Sequence, residues 1–517
     1  MTVQAFLGFL HVLRLIRAGF ILGREGVFLN VDPAMVPPAA QPLFFVFRRM
    51  ARAGAGKNGD NLPRAMARLG PSYVKLGQFL ATRPDVVGLE VAKSLEMLQD
   101  RMSPFATAEA VAIVERSLGQ PLSDLFSEFG EPVAAASIAQ VHKARTRGVD
   151  GGRDVAVKIL RPGIDARFRR DLSDMLFAGR LAERLSAEAR RLRLVEVFET
   201  LARSVRLEMD FRLEAAAASE FAENTAGDPD FRAPAVDWNR TAREVLTVDW
   251  IDGIPLSDLA ALRETGLDLP KLGQQLIQSF LRHAVRDGFF HADMHQGNMF
   301  IDRQGCIAAV DFGIMGRLNP AERRFLAEIL YGFITKDYRR VAVVHFDAGY
   351  VPRTHGIDEF AQAIRAVGEP IHSRTADQIS MAKVLTLLFE ITALFDMSTR
   401  TELVLLQKTM VVVEGVARTL DPALDMWSTA EPVIRSWIED NLGPAGKMRD
   451  AGESLNAALQ ALARAPKMLD RIDVLSERLS ATGGMSATPA TVAARTSGWI
   501  VAPLWLLACA ALIALLR

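Results

Sequence analysis

Residues 291–313 read HADMHQGNMFIDRQGCIAAVDFG, and this stretch decides the fold. It places an aspartate at Asp293, an asparagine five residues on at Asn298, and an Asp-Phe-Gly triplet beginning at Asp311. All three side chains are short and end in oxygen, the donor type that hard Mg2+ prefers when it arrives with phosphates. Asn298 and Asp311 are therefore candidate metal ligands, and Asp293 is the candidate group that orients an attacking hydroxyl or water. His291 and His295 invite a zinc reading. The string lacks the glutamate next to the first histidine that a metalloprotease helix uses, so His291 is read as a packing residue.

Working outward, Val155-Ala156-Val157-Lys158 lies upstream and reads as a strand whose lysine grips α- and β-phosphates. A lysine in that place needs a carboxylate to orient it. Glu208 and Glu214 both follow in a helical region; six apart, they do not share one helical face. Spacing leaves both as candidates, and Glu214 is preferred here. Before Lys158 runs Pro132-Val133-Ala134-Ala135-Ala136-Ser137-Ile138-Ala139-Gln140-Val141, with alanines where a phosphate loop would carry glycines. Each added Cβ restricts the backbone freedom that lets amides approach a phosphate. This order, with a small strand-bearing lobe ahead of a larger helical lobe, is the plan of a protein-kinase-like fold. The fold class expected is α+β and bilobal.

The chain has 517 residues, too long for one compact core. Lys+Arg and Asp+Glu both number 61, so no global field favours nucleic acid as a partner. The two cysteines, Cys306 and Cys509, stand far apart in sequence, which fits a reducing compartment better than a disulfide framework. The N-terminus is apolar but interrupted by His11, Arg14 and Arg17; it reads as an amphipathic helix, packed on the domain or lying in a membrane interface. Trp499–Leu516 carries no charge and, as a helix, would span about 27 Å, enough for a bilayer core. The expected divisions are an N-terminal amphipathic helix (1–30), a linker (31–61) and a helical extension (62–125). An N-lobe (126–252), a C-lobe (253–442), a helical segment with flexible linker (443–498) and a transmembrane helix (499–516) follow.

Further strings carry a specific resemblance. They are Lys75-Leu76-Gly77-Gln78, the alanine loop, Lys158, Glu208-Met209-Asp210, Trp250-Ile251-Asp252-Gly253-Ile254-Pro255, HADMHQGN, the Asp-Phe-Gly triplet, Leu405-Leu406-Gln407-Lys408 and Leu420-Asp421-Pro422. In this order, from about Leu62 to Asp425, they resemble the UbiB family of atypical protein-kinase-like proteins tied to ubiquinone biosynthesis. The resemblance implies that Lys75 and Gln78 restrain Glu208 and Asp210 and obstruct a protein acceptor. It implies ATP or ADP with Mg2+ as ligands, and catalysis by Asp293 and Lys158. Nucleotide contacts are expected from Ala134, Ala135, Ala136, Ser137, Val141, Lys158, Glu208, Glu214, Asp249 and Ile251. It also implies ATP hydrolysis stimulated by membrane lipid and polyprenyl-phenol quinone precursors, and ubiquinone biosynthetic enzymes as partners, with a homodimer as a further expectation. The location implied is a bacterial-type inner membrane, with one C-terminal anchor and a cytoplasmic catalytic domain. Gln296, Ala81 and Gly88 depart from the family's usual Pro, Ser and Pro, and a single tail span differs from relatives that carry two.

Overall fold

The structure, a computed structural model, describes residues 3–443 apart from 32, 34–35, 37–40, 53–59, 82, 99–101, 149–151, 186, 373–386, 388–389, 393 and 398–400. The expected helical segment and linker (443–498) and the transmembrane helix (499–516) lie outside the described residues, save Gly443. Among the described residues, no helix is long and apolar enough to cross a membrane. The chain divides into two units. One runs to Ala216 and includes Ala235–Trp250; the other holds Ala217–Pro234 and the described chain from Ile251 onward.

The first unit opens with helices α1 (Val3–Arg24), α2 (Gln41–Arg49), α3 (Asn61–Leu69), α4 (Pro71–Ala81), α5 (Pro84–Val87) and α6 (Leu89–Glu96). The stretch read as a linker thus contains a helix, α2. Its Phe44 and Phe47 stand three apart on one face and bury against Phe28, which is enough apolar area to order the segment. Between α3 and α4 the chain turns at Gly70, whose φ of 106° suits glycine, and Pro71 then opens α4 with φ already preset. Helix α1 packs on the domain through Val12 and Leu15, and its His11 and Arg14 both reach Asp174.

After α7 (Thr107–Leu118) and the short α8 (Leu122–Leu125) come three strands. They are β1 (Phe126–Ala135), β2 (Ala139–Thr146) and β3 (Asp154–Leu160). Helices α9 (Ile164–Leu185), α10 (Ala187–Leu192), α11 (Leu194–Glu208) and α12 (Phe211–Thr225) follow, then β4 (Phe231–Arg232) and β5 (Val245–Asp249). The first unit's sheet runs β1-β2-β3-β5, every pair antiparallel. On β3, Val155, Val157 and Ile159 are fully buried, in one cluster with Ala110, Ile113 and Val114 of α7. Strand alternation therefore turns Ala156 and Lys158 to the opposite face.

The second unit contains more sheet than the sequence suggested. Strand β6 (Ile254–Pro255) precedes helices α13 (Leu259–Glu264) and α14 (Leu269–Arg282). Strands β7 (Phe289–His291), β8 (Met299–Ile301), β9 (Ile307–Ala309) and β10 (Met315–Arg317) come next. They form a sheet ordered β4-β9-β8-β6 and a pair β10-β7. Strands this short carry too few residues to show an alternation in sequence. Helices α15 (Pro320–Ile334), α16 (Tyr338–Asp347) and α17 (Ile357–His372), with helices Thr401–Leu420 and Met426–Leu442, complete the unit. Asn319 starts α15 with a full capping box to Glu322.

Candidate functional site

In the first unit the site is built on β3. Lys158 pairs in register with Val141 of β2 and Leu246 of β5, so it stands mid-sheet on the face away from α7. Its Nζ donates to both oxygens of Glu214, at 2.8 and 3.0 Å, and lies 5.5 Å from the Phe211 ring centroid. Both partners are largely shielded from water, which makes pairing necessary: a lone charge there would be costly. Phe211 follows the string Glu208-Met209-Asp210 directly, and nothing in the sequence marks its ring as a neighbour of Lys158.

Glu208, the last residue of α11, takes another lysine. Lys75 of α4 reaches its Oε2 at 2.5 Å. The chain then breaks at Met209 and Asp210, and the Phe211 N–H donates to the Arg243 carbonyl. The break reorients α12, and so Glu208 and Glu214 end on different cations. Asp210 turns to Arg212, which grips it with Nε at 2.8 Å and Nη2 at 2.6 Å. That guanidinium holds the Asp210 carboxyl below its ordinary value. Gln78 lies half-buried one turn beyond Lys75 on α4.

The alanine segment divides. Ala134 and Ala135 stay in β1, opposite Val141 and Gln140, and the Ala136 N–H closes the turn on the Ala139 carbonyl at 2.8 Å. Ser137 is fully buried within that turn. Asp249 ends β5 and accepts from Arg153 at 2.8 Å. Ile251, half-buried, opens the second unit's part of the chain after Trp250, whose N–H donates to the Asp154 carbonyl.

In the second unit, the loop after β7 is held from within. The Asp293 N–H donates to His291 Nδ1 at 3.0 Å, so that nitrogen must accept; Nε2 then carries the proton and donates to the Val310 carbonyl at 3.1 Å. The ring is fully buried, and burial pushes its pKa down, in keeping with a neutral imidazole. His291 thus acts as a fixed spacer under Asp293. Asn298 Nδ2 donates to the Asp293 carbonyl at 3.1 Å, and the Val310 N–H donates to the Asn298 carbonyl at 2.9 Å. Thr409 Oγ1 donates to the Ala292 carbonyl at 2.9 Å from the helix Thr401–Leu420, an anchor with no signature in sequence. Asp293 itself is half exposed, 3.7 Å from His295 Nε2. Asp311 has φ 63°, an unusual left-handed residue that is not glycine, and is exposed. Phe312 beside it is buried against Phe221 and His291.

These groups suit a nucleotide's Mg2+. Committing Asn298 Nδ2 to a carbonyl turns the amide oxygen the other way, and the left-handed Asp311 presents a second oxygen. Among the described residues, no three His, Cys, Asp or Glu side chains gather into an all-protein cage. Magnesium that comes with phosphates needs only one or two protein oxygens.

An antiparallel sheet bearing a lysine–glutamate pair, and a loop holding Asp293 and Asn298 ahead of Asp-Phe-Gly, define an atypical protein-kinase-like fold. Residues 97–345 match the ABC1 atypical kinase-like domain, and 364–425 match the UbiB helical domain. The chain belongs to the UbiB family. A probable protein kinase UbiB from Marinobacter nauticus is 41% identical over 416 residues, covering 80% of this chain and 76% of that protein. Proteins of the same name from Azotobacter vinelandii and Pseudomonas fluorescens are 41% and 40% identical, over 74% and 75% of this chain and 71% and 73% of theirs. A solved structure of Rv3197 with erythromycin, from Mycobacterium tuberculosis, is 25% identical. It covers 71% of this chain and 93% of that one, with a TM-score of 0.50.

Proposed function

We propose that this protein is a membrane-associated, kinase-like ATPase that supports ubiquinone biosynthesis, using ATP hydrolysis to handle lipid quinone precursors or to organise the enzymes that act on them. The observation that carries the ATP reading is the two-oxygen pairing of Lys158 with Glu214 on the face of β3 away from α7. A lysine so oriented can hold α- and β-phosphates without rearranging. Asp293 would accept a proton from the attacking water or hydroxyl, its position fixed by His291 and Asn298. Mg2+, when bound, would sit on Asn298 and Asp311 and offset phosphate charge.

The Lys75–Glu208 pair favours water over a protein as acceptor. Carboxylates that would receive a basic peptide are already engaged, Glu208 by the chain's own lysine and Asp210 by Arg212. The membrane side draws support from α1 and α2. Leu13, Arg17, Phe20 and Arg24 are exposed at spacings of four and three, so they form one stripe, and Phe45, Val46 and Arg49 of α2 are exposed too. Apolar and basic side chains together suit an anionic lipid surface. With the apolar segment 499–516 as anchor, we place the protein at a bacterial inner membrane with its nucleotide-binding units on the cytoplasmic side.

The test is radiolabelled ATP with purified full-length protein and anionic-lipid vesicles. Released phosphate that rises with vesicles supports the ATPase reading. Label transferred to protein, with little free phosphate, would overturn it in favour of a genuine kinase.

A further inference from the structure

The turn that follows β1 is tied down from outside the sheet. Arg161, directly after β3, donates through Nε to the Ala136 carbonyl and through Nη2 to the Ser103 carbonyl, both at 2.9 Å. Its guanidinium carbon lies 5.6 Å from the Phe105 ring centroid, and its backbone N–H donates to the Ile138 carbonyl at 2.8 Å. One residue therefore holds two carbonyls of the turn and a third on the segment Met102–Phe105.

That segment is bound to the sheet by two further routes. The Met102 N–H donates to the Ala135 carbonyl at 3.1 Å. Gln140, fully buried, accepts from the Phe105 N–H at 2.9 Å and donates to the Phe105 carbonyl at 3.3 Å. Its remaining amide hydrogen is directed at His142 Nε2, 2.8 Å away, and His142 Nδ1 donates to the Gly130 carbonyl at 2.8 Å. Every polar atom of the Gln140 amide is thereby committed to the clamp. In sequence, Met102–Phe105 lies within the helical extension that bears Lys75, between α6 and α7.

We propose that Arg161 is a positioning residue that clamps the turn Ala136–Ile138 to the segment Met102–Phe105, so that the helical extension sets the loop's geometry and with it the affinity for phosphate-bearing nucleotide. The physical need is clear from the turn's composition. Glycine loops adapt to phosphate by backbone freedom; an alanine turn has less of it, and its shape must be imposed. Arginine suits the task because its planar fork reaches two carbonyls at once, which a lysine ammonium cannot do with fixed geometry. Because a peptide unit is planar and trans, pinning the Ala136 carbonyl also fixes the direction of the next N–H. The affinity part of the proposal rests on the ATP reading above; the clamp itself does not.

The experiment compares full-length wild type with Arg161→Gln and Arg161→Lys in detergent micelles. It measures hydrogen exchange of residues 134–138 and calorimetric affinities for Mg·ATP and for adenosine. Arg161→Gln is expected to speed exchange in that segment and to weaken Mg·ATP about tenfold, the worth of one hydrogen bond from a charged donor, with adenosine unchanged. Arg161→Lys should fold as wild type does and show a smaller change of the same kind. Exchange unchanged in both variants, or equal weakening of ATP and adenosine, overturns the proposal. Wild type that takes up neither ligand defeats the ATP reading instead, and the exchange comparison then decides the clamp alone.

Discussion

Glu208 and Glu214, six residues apart, serve different lysines: Glu208 pairs with Lys75 and Glu214 with Lys158. Spacing offered both as partners for Lys158, but the region that holds them reads as one helical stretch, and nothing in it marks the break at Met209 and Asp210. That break depends on Arg243 accepting from the Phe211 N–H, a contact made by a residue far along the chain. The division of labour yields a clean prediction. Glu214→Gln keeps the shape but removes the charge facing Lys158, and Mg·ATP affinity should fall about tenfold by calorimetry. Glu208→Gln should leave that affinity within about twofold. Equal losses in the two variants would show that Lys158 does not depend on Glu214. Asp293→Asn preserves the backbone links to His291 and Asn298, so Mg·ATP should still bind while kcat drops by about 100-fold or more. A kcat within tenfold of wild type removes Asp293 from the chemistry.

Among the elements, strand β3 was legible because its alternation of Val155, Val157 and Ile159 with Lys158 is long enough to show a period of two. The strands of the second unit were not; each has two or three residues and owes its existence to neighbours such as the β8–β9 ladder. Helix α2 was hidden by the prolines around it, and only its burial against Phe28 reveals why it forms. Helix α4 is the element on which regulation by Lys75 would depend, and its seating is tight. A Cβ on Gly77 would come within 2.2 Å of Leu98 Cδ1 and 2.6 Å of Met66 Sδ, so α3 and the chain after α6 close directly over that glycine. Gly77→Ala should therefore destabilise the protein by about 1–3 kcal/mol through overpacking, seen as a lower denaturation midpoint. Gly8→Ala on α1, where the added carbon meets no described atom beyond its chain neighbours and its own helix backbone within 4 Å, should be neutral or mildly stabilising. If both variants melt alike, α4 is not packed as described.

At the scale of the whole molecule, buried histidines govern the response to acid. His142, His283 and His291 are each almost wholly buried, and burial pushes each pKa below the ordinary imidazole value. The folded chain refuses protons that the unfolded chain accepts near pH 6.5, so stability is full above that pH and falls as pH drops. Each histidine contributes up to about 1.4 kcal/mol per pH unit to the slope. Two buried carboxyls act in the other direction. Burial raises Asp174 and Glu414, so the folded state holds protons there that the unfolded chain has already released. Asp228 reinforces the loss at lower pH still: burial works against its ionisation, but hydrogen bonds from His283 and Arg286 hold it well below the usual carboxylate range. Between pH 7.5 and 5.5 the histidines should dominate. Tm is expected to fall steadily over that interval, and unfolding at pH 5.5 should take up protons, measurable by calorimetry in buffers of different ionisation enthalpy. A flat Tm, or proton release on unfolding, would mean that these imidazoles are charged in the folded state. His291 could not then accept from the Asp293 N–H, and the loop that positions Asp293 would need another explanation.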